Sequence, residues 1–432
     1  MENVFDNLNN VQREAVENTE GPNLIIAGAG SGKTKVLTCK VARLLLKGVS
    51  PTSILALTFT NKAAKEMKER IANIAGAQSA RLWAGTFHSI FSRILRNEAS
   101  FTGFNSNYTI YDTTDSLSVI RGIIKELNLD EKTYKDRDVL GRISMAKNCL
   151  MSPAAYSSSP QLTGEDIKMR RPRIAEIYSR YAAKCRNANS MDFDDILLYT
   201  NILLRDNPEI SNKYRQIFRY ILVDEYQDTN MSQYHIIKQL AAFHRNITVV
   251  GDDAQSIYSF RGARIENILN FKKDYPDYSE YKLEQNYRST KTIVNAANSV
   301  ISKNKVQLKK HCFSEGDTGD KIELIAAFSD QEEGLLVTNS IVEAIYSKHV
   351  NYSQIAILYR TNAQSRIFED ALRRKNIPYR IYGGLSFYQR AEIKDALAYM
   401  RLSANPSDDE SFRRIVNYPA RGIGDTTMDR IR

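Results

Sequence analysis

A glycine-rich segment ending in Gly-Lys-Thr follows a short apolar run near the start of the chain. The run covers residues 23–27, and the segment reads Ala27-Gly-Ala-Gly-Ser-Gly-Lys-Thr34. In such a strand-to-helix turn, backbone N–H groups surround phosphate oxygens, and glycines let the ligand approach where a Cβ would collide. Lys33 is expected to reach the β- and γ-phosphates, and Thr34 to place its hydroxyl on Mg²⁺. The chemistry predicted here is binding of ATP with Mg²⁺.

The predicted nucleotide contacts of this loop include every residue after its first position. A tight turn that is merely rich in glycine is the alternative, and Ala27 stands where the pattern usually has glycine. The strand before the loop and the helical pattern after it favour the phosphate-binding reading. The candidate residues are Gly28, Ala29, Gly30, Ser31, Gly32, Lys33, Thr34 and Lys35.

Two adjacent carboxylates follow a second apolar run, at residues 220–223. Asp224 and Glu225 should therefore emerge at the carboxyl end of a sheet, where α/β proteins bind ligands. Asp224 is expected to hold Mg²⁺, directly or through water, and Glu225 to orient or deprotonate the water that attacks the γ-phosphate. A helix N-cap is the alternative for such a pair. Together with the phosphate loop, the pair favours catalysis.

A third apolar run, at residues 247–250, leads into a segment that mixes polar, aromatic and basic side chains. Gln255 is a candidate sensor of the γ-phosphate. Tyr258 and Phe260 are candidates to stack on unpaired bases, and Arg261 to contact phosphate or stack. Packing of the two aromatic rings in a domain interface is the alternative.

These side chains require a parallel α/β sheet to bring them together. Apolar runs at residues 23–27 and 54–58 are each followed by a helical pattern, and the runs at 220–223 and 247–250 are expected to join the same sheet. Between them, residues 112–190 are predicted to form helices, so one α/β domain is split around a helical insertion.

A second α/β set is predicted after this domain, again as a parallel sheet. Its strand candidates are residues 322–326, 355–359 and 379–382, with amphipathic helices around 335–346 and 365–375. The chain is then expected to become helical after Gly383-Gly384. The predicted domains are residues 1–111 with 191–276, the insertion 112–190, an incomplete second sheet domain 277–386, and the start of a second insertion 387–432.

The composition limits the possible functions but does not identify one. The 432 residues are 42% hydrophobic and carry a formal net charge of +10, which makes a polyanionic partner plausible. No run approaches the ~20 apolar residues of a membrane span, and the start lacks a signal-peptide layout, so a cytoplasmic location without membrane attachment is expected. The four cysteines match no metal or disulfide spacing and are expected to be ordinary buried or half-buried thiols.

With these segments in place, the sequence closely resembles UvrD/Rep-type superfamily 1 DNA helicases over most of its length. Leu8-Asn9 with Gln12 resembles the family's adenine-reading element, and residues 57–64 and 85–88 resemble its single-strand contacts. Gln285-Asn-Tyr287-Arg288 resembles the stretch that supplies a base-stacking Tyr and an arginine finger. Tyr359-Arg360-Thr-Asn362 resembles a DNA-contacting loop.

The resemblance implies two RecA-like phosphate-loop domains with helical insertions, ATP bound between them, and stepwise 3′-to-5′ movement on single-stranded DNA. Arg288, on the second sheet, is expected to meet phosphates held by Lys33 of the first. The implied partners are single-stranded DNA, single/double-strand junctions, and repair or replication proteins. The implied DNA contacts are Phe59, Asn61, Thr86, His88, Tyr258, Phe260, Arg261 and Arg360.

The sequence also departs from the family pattern. Phe260 stands where Trp is usual, and Lys35 where Arg is usual, which puts stacking of a guanidinium on adenine in doubt. Family members continue past this length, so we expect the chain to bind ATP and DNA but to unwind poorly.

Other functions stay open at this point. They are the motor part of a recombination helicase-nuclease, a nucleotide-switched binding module and, least favoured, a small-molecule kinase. Asp192 is interpreted as a helix cap rather than as a brace for the DNA path.

Overall fold

The structure, a computed structural model, describes residues 5–305, 307–382, 389–424, 427–428 and 430. Contacts between residues divide the chain into two units. The first unit comprises Met1–Asp320 with Arg401–Arg413, and the second comprises Lys321–Met400 with Arg414–Arg432. No helix of the described residues is long and apolar enough to cross a membrane.

A six-stranded parallel sheet forms the centre of the first unit. Its order is β3-β2-β6-β7-β1-β8, and every neighbouring pair is parallel, while β4 and β5 form a separate parallel pair. The strands are β1 (Asn23–Ala27), β2 (Ile54–Thr58), β3 (Trp83–Thr86), β4 (Thr109–Ile110), β5 (Ser190–Met191), β6 (Tyr220–Val223), β7 (Ile247–Gly251) and β8 (Ser279–Leu283).

The four apolar runs of the sequence are the four central strands. Every residue of β1, β2, β6 and β7 is buried, because helices cover both faces of the sheet. The predicted strands are therefore confirmed, with β7 one residue longer than predicted.

The two strands at the edges of the sheet were not predicted. β8 alternates half-buried and exposed side chains up to the buried Leu283 and pairs with β1, whereas residues from 277 onward were expected to start a second domain. That prediction is wrong for β8, since hydrogen bonding to β1 makes it part of the first sheet. β3, at the opposite edge, has only four residues and contains Gly85, so its apolar signal is weak.

Helices connect these strands and cover both faces of the sheet. In chain order they are α1 (Asn10–Glu17), α2 (Lys33–Leu46), α3 (Asn61–Ala75), α4 (Phe87–Asn97), α5 (Thr113–Glu126), α6 (Asp136–Asn148), α7 (Pro153–Ser157), α8 (Pro160–Lys168), α9 (Ile174–Asn187), α10 (Phe193–Asp206), α11 (Pro208–Ile217), α12 (Met231–Ala241), α13 (Glu266–Leu269), α14 (Phe271–Asp274) and α15 (Lys291–Ile301).

The sheet lies between two apolar cores. One contains Val36 and Val41 of α2 with Met67 and Ile71 of α3. The other contains side chains of α4, α10 and α12, including Phe91. Because side chains of one strand alternate between the faces, the buried strands contribute to both cores and fix the sheet rigidly between the helical layers.

Helices α5–α9 follow one another between β4 and β5 and enclose a core of their own. Its largest members include Tyr111, Tyr156, Tyr178 and Tyr181, all fully buried. The hydroxyl of Tyr181 donates to Asp192, so even the polar tips of these rings are satisfied.

Further α-helices follow in the described residues after position 320. They are α16 (Asp330–Lys348), α17 (Ser365–Arg374), α18 (Ala391–Ala404) and α19 (Asp409–Ile415). α16 and α17 contain the amphipathic patterns predicted around residues 335–346 and 365–375, and those predictions are confirmed. Ile341, Leu372 and Ile377 form their small shared core.

The second sheet predicted from residues 322–326, 355–359 and 379–382 is not found: among the described residues after 320, the structure assigns no strand. Residues 325, 327 and 355–358 instead line a cavity of about 440 Å³ beside α16. Leu324 is 96% exposed and Leu358 is 92% exposed. Apolar spacing predicts extended backbone, but a strand also needs a hydrogen-bonded neighbour, which these segments lack in the described residues. Gly383-Gly384 and Arg432 lie outside the described residues.

Candidate functional site

The carboxyl ends of the parallel strands place most of the predicted site residues along one edge of the sheet. Lys33 directly follows the loop after β1, Glu225 lies after β6, and Gln255 lies after β7. Phe59 follows β2 and His88 follows β3, on the other half of the same edge. Strand order therefore separates a phosphate-binding half from an aromatic half.

The phosphate loop has the backbone that its glycines predict. Gly30 and Gly32 have φ angles of +68° and +87°, a region that other residues rarely adopt. A Cβ at Gly30 would also lie 2.8 Å from Nδ2 of Asn286, which donates a 2.7 Å hydrogen bond to the Ala29 carbonyl. The loop leads directly into α2, which begins at Lys33. The N-terminus of α2 therefore lies at the candidate phosphate position.

Side chains of the phosphate loop meet the acidic pair across the intervening strand β7. Nζ of Lys33 donates to Oε2 of Glu225 at 3.2 Å. Oγ1 of Thr34 donates to Oδ2 of Asp224 at 3.4 Å. Glu225 has a φ of +50°, a left-handed backbone conformation that is strained for a residue with a side chain.

A third carboxylate, that of Asp228, interacts electrostatically with this pair. Burial raises the pKa of Asp224 to about 6, with the negative charge of Glu225 adding to the shift. Burial and Glu225 raise the pKa of Asp228 to about 6 as well. Oδ1 of Asp228 is buried and has no hydrogen-bond partner in the described part of the chain. Among the described residues, no three or more His, Cys, Asp or Glu side chains are grouped so that they could hold a metal ion. A divalent cation here would therefore need oxygen ligands from a bound nucleotide in addition to Thr34 and Asp224.

A residue not singled out from the sequence, Gln227, connects the acidic pair to the next strand. Its Nε2 donates to Oε2 of Glu225 at 3.0 Å, and its Oε1 accepts from the backbone N–H of Asp252 at 3.0 Å. Asp252 in turn accepts from Nε2 of Gln255 at 2.6 Å. The only sequence signal for Gln227 is its position two residues after Glu225.

The residues expected to read a base lie beside the loop. Nε2 of Gln12 donates to the Ser31 carbonyl at 2.9 Å. Nδ2 of Asn9 donates to the hydroxyl of Tyr287 at 2.8 Å, and the ring of Tyr287 is exposed. Nζ of Lys35 donates to the backbone carbonyl of Asn7 at 2.7 Å and so braces the segment before α1.

Arg288 lies beside the phosphate loop but belongs to the first unit. It follows β8 of the first sheet, and the backbone N–H of the preceding Tyr287 donates to the Gly30 carbonyl at 3.0 Å. The prediction that Arg288 comes from a second sheet is therefore wrong. β8 was not visible in the sequence because its exposed residues are polar.

The aromatic half of the edge contains Phe59 and His88. The Phe59 ring lies 5.5 Å from that of Phe87 and packs against the core, and His88 lies 5.5 Å from Phe193. Burial lowers the pKa of His88 to about 4, so the ring is neutral at physiological pH. Asn61 begins α3, and the Thr86 side chain caps α4.

Tyr258 and Phe260 form an aromatic pair after β7, with ring centroids 6.0 Å apart. Phe260 is 75% exposed, so a large apolar ring is presented to solvent. The side chain of Arg261 lies outside the described residues. Arg360 is in the second unit, where its backbone N–H donates to Oε1 of Gln364 at 3.0 Å.

Asp192 caps α10, as predicted, through a reciprocal capping box with Asp195. The structure adds a buried partner that the sequence did not indicate. Nζ of Lys147, on α6, lies 2.7 Å from carboxylate oxygens of both Asp192 and Asp195. This cluster ties the helical insertion to α10. Among the cysteines, Cys39 and Cys185 are buried and Cys312 is half-buried, but Cys149 is exposed, contrary to expectation.

A parallel sheet whose loops place Gly-Lys-Thr against an acidic pair defines a phosphate-loop nucleotide-binding domain. Family comparison narrows this class. The model of the UvrD/REP helicase N-terminal domain matches residues 8–276, and that of the UvrD-like helicase C-terminal domain matches residues 281–432. The chain belongs to the UvrD/REP helicase family.

Curated relatives agree with this assignment. An ATP-dependent DNA helicase PcrA of Bacillus subtilis is 48% identical over 99% of this chain and 57% of its own length. Proteins of the same name from Leuconostoc citreum and Staphylococcus aureus are 45% and 46% identical over the whole chain. The chain spans 57–58% of the length of these relatives.

Proposed function

We propose that the protein is an ATP-dependent helicase or translocase that moves 3′ to 5′ on single-stranded DNA in repair or replication. The observation that carries the proposal is the contact of Lys33 and Thr34 with Glu225 and Asp224. The exposed Phe260, at the same sheet edge, supports coupling of that site to DNA. The family relatives are named as DNA helicases, which agrees with this reading.

The nucleotide half of the site performs three tasks in this proposal. Backbone N–H groups of residues 28–34 bind the phosphates, and Lys33 neutralises their charge. Thr34 and Asp224 would hold Mg²⁺, which would supply a compact positive charge beside the phosphates. Glu225 orients the attacking water and accepts its proton.

Gln12 and Tyr287 hold the base, and Arg288 lies where its guanidinium can reach a phosphate beside Gly30. A Cβ at Gly30 would lie only 2.9 Å from the Cβ of Arg288, which supports this placement. An arginine at that point stabilises charge that builds up on the transferred phosphoryl group. Lys35 braces residue 7 and takes no part in base stacking.

The DNA half of the site consists of aromatic rings and of polar side chains at the N-termini of helices. Phe260 and Tyr258 stack on unpaired bases, which is a sequence-tolerant contact because every base has a π-face. Phe59, Asn61, Thr86 and His88 line the neighbouring loops and complete a path across the carboxyl edge. Arg261 and Arg360 contribute positive charge toward the phosphates. A cytoplasmic location is part of the proposal, and single/double-strand junctions and repair or replication proteins are the proposed partners.

ATP hydrolysis with and without single-stranded DNA tests the proposal. We expect DNA to stimulate turnover by the longest form of this gene product, and Lys33→Ala to abolish it. Lys47→Ala is a matched control, since Lys47 lies at the far end of α2. Turnover that DNA leaves unchanged would reject the motor and favour a nucleotide-switched binding module.

A further inference from the structure

The side chain of Lys310 ends between two buried carboxylates at the end of β7. Its Nζ lies 2.8 Å from Oδ1 of Asp252 and 2.5 Å from Oδ1 of Asp253. The backbone N–H of Leu308 donates to the other oxygen of Asp253 at 2.7 Å, which fixes the approach of this segment. Only 8% of the Lys310 side chain is exposed. The polar residues on either side of it, Lys309 and His311, give no indication in the sequence that Lys310 is buried.

Asp252 connects Lys310 to the candidate sensor. One carboxylate oxygen faces Lys310, and the other accepts from Nε2 of Gln255 at 2.6 Å. An amide nitrogen has two hydrogens, so the second remains available for a phosphate oxygen. Asp252 thus orients Gln255 through its carboxylate. Through its backbone N–H it also contacts Gln227, which donates to Glu225.

Two adjacent carboxylates repel one another, and each can rotate about its Cβ–Cγ bond. A lysine that bridges them offsets the repulsion and limits the rotation, because its ammonium favours one orientation of each carboxylate. Asp252 and Asp253 raise the pKa of Lys310 despite the opposing effect of burial, so the bridge stays charged at physiological pH.

We propose that Lys310 is a positioning residue that holds Asp252 in the orientation that presents the Gln255 amide to the γ-phosphate. The inference rests on the proposed function, since it assumes that a nucleotide binds to the phosphate loop. It assigns Lys310 to recognition of the γ-phosphate through Gln255, in addition to Lys33, which reaches both the β- and γ-phosphates. Loss of Lys310 therefore affects ATP more than ADP.

The test compares the affinities of the chain for ADP and for a non-hydrolysable ATP analogue. Lys310→Met should reduce the preference for the analogue by about tenfold, the worth of one hydrogen bond to a charged group, and leave the ADP affinity within about twofold. Lys310→Arg keeps the charge and should restore most of the preference. Asp253→Asn is the matched control, because it removes one contact of Lys310 without touching Asp252 or Gln255.

Thermal melting shows whether each variant folds. If Lys310→Met does not, the double variant Lys310→Met/Asp253→Asn replaces it, since it keeps the net charge of the three-residue cluster at −1 and should show the same selective loss. An unchanged preference in the folded variant overturns the proposal. Equal loss of ADP and analogue affinity, or unfolding of the single and double variants alike, makes Lys310 a structural residue and also overturns it. Failure of the unaltered chain to bind either nucleotide would instead reject the proposed function.

Discussion

Nζ of Lys33 lies 3.2 Å from Oε2 of Glu225, so the two side chains assigned to the phosphate and to the attacking water contact each other. A γ-phosphate has to take the place of Glu225 at this ammonium. Gln227 offers the carboxylate another donor at 3.0 Å, which holds it close to the site when Lys33 turns to the nucleotide. The ion pair between Lys33 and Glu225 therefore competes with nucleotide binding.

Glu225→Gln should separate binding from chemistry. Glu225 is partly exposed, so its ion pair with Lys33 is worth about 0.2–1 kcal/mol, and its loss should tighten nucleotide binding by about 1.4- to 5-fold. Hydrolysis should fall about 10²–10⁴-fold, because the general base is lost. Fluorescent-nucleotide titration and phosphate release measure the two effects. Glu17→Gln, which loosens an ion pair with Arg43, is the control, and weaker nucleotide binding by Glu225→Gln would contradict the competition.

Phe260→Ala should weaken binding of single-stranded DNA. Stacking of one base on an aromatic ring is worth about 1–3 kcal/mol, which corresponds to a loss of about 5- to 150-fold in affinity. Fluorescence anisotropy with a labelled oligonucleotide measures it. Phe243→Ala removes an equally large exposed ring from the loop after α12 and should leave the affinity unchanged. Equal effects of the two changes would argue against stacking on Phe260.

Lys147→Met should destabilise the fold. The lysine is fully buried between Asp192 and Asp195, and its removal leaves buried negative charge without a partner, at a cost of about 3–5 kcal/mol. Urea denaturation measures the free energy of unfolding. Lys65→Met, at an exposed ion pair with Glu69, should cost less than about 1 kcal/mol. A similar small cost at Lys147 would show that the buried cluster reorganises easily.

The neutral ring of His88 should make stability fall in mild acid. Burial lowers its pKa to about 4 in the folded chain, from 6.5, so below pH 6.5 the unfolded chain binds a proton that the folded chain does not. The contribution is about 2 kcal/mol between pH 7.5 and pH 5, lost as the pH falls. Denaturation at both pH values should show a smaller difference for His88→Gln than for His311→Gln. An identical pH dependence of all three proteins would place the His88 ring in contact with water.

The phosphate loop, the acidic pair and the four central strands could be predicted because local chemistry specifies them. A strand buried on both faces must be apolar throughout, as in residues 23–27, and a phosphate-binding turn must contain glycine. β8 has neither property, since it lies at the sheet edge and its outward residues are polar. The second sheet was predicted from equally local signals and is absent from the described residues, because strand pairing depends on a neighbouring segment and not on the strand alone.

The sequence by itself determined which chemical groups the protein has at its phosphate loop and which family it resembles. Only the tertiary structure decided that Arg288 belongs with the first sheet, that Gln227 and Lys310 connect Glu225 and Gln255, and that Lys147 is buried between two aspartates. These are contacts between residues far apart in the chain, such as Lys310 and Asp252. A contact of this kind depends on the distance between folded elements, and no spacing along the sequence encodes that distance.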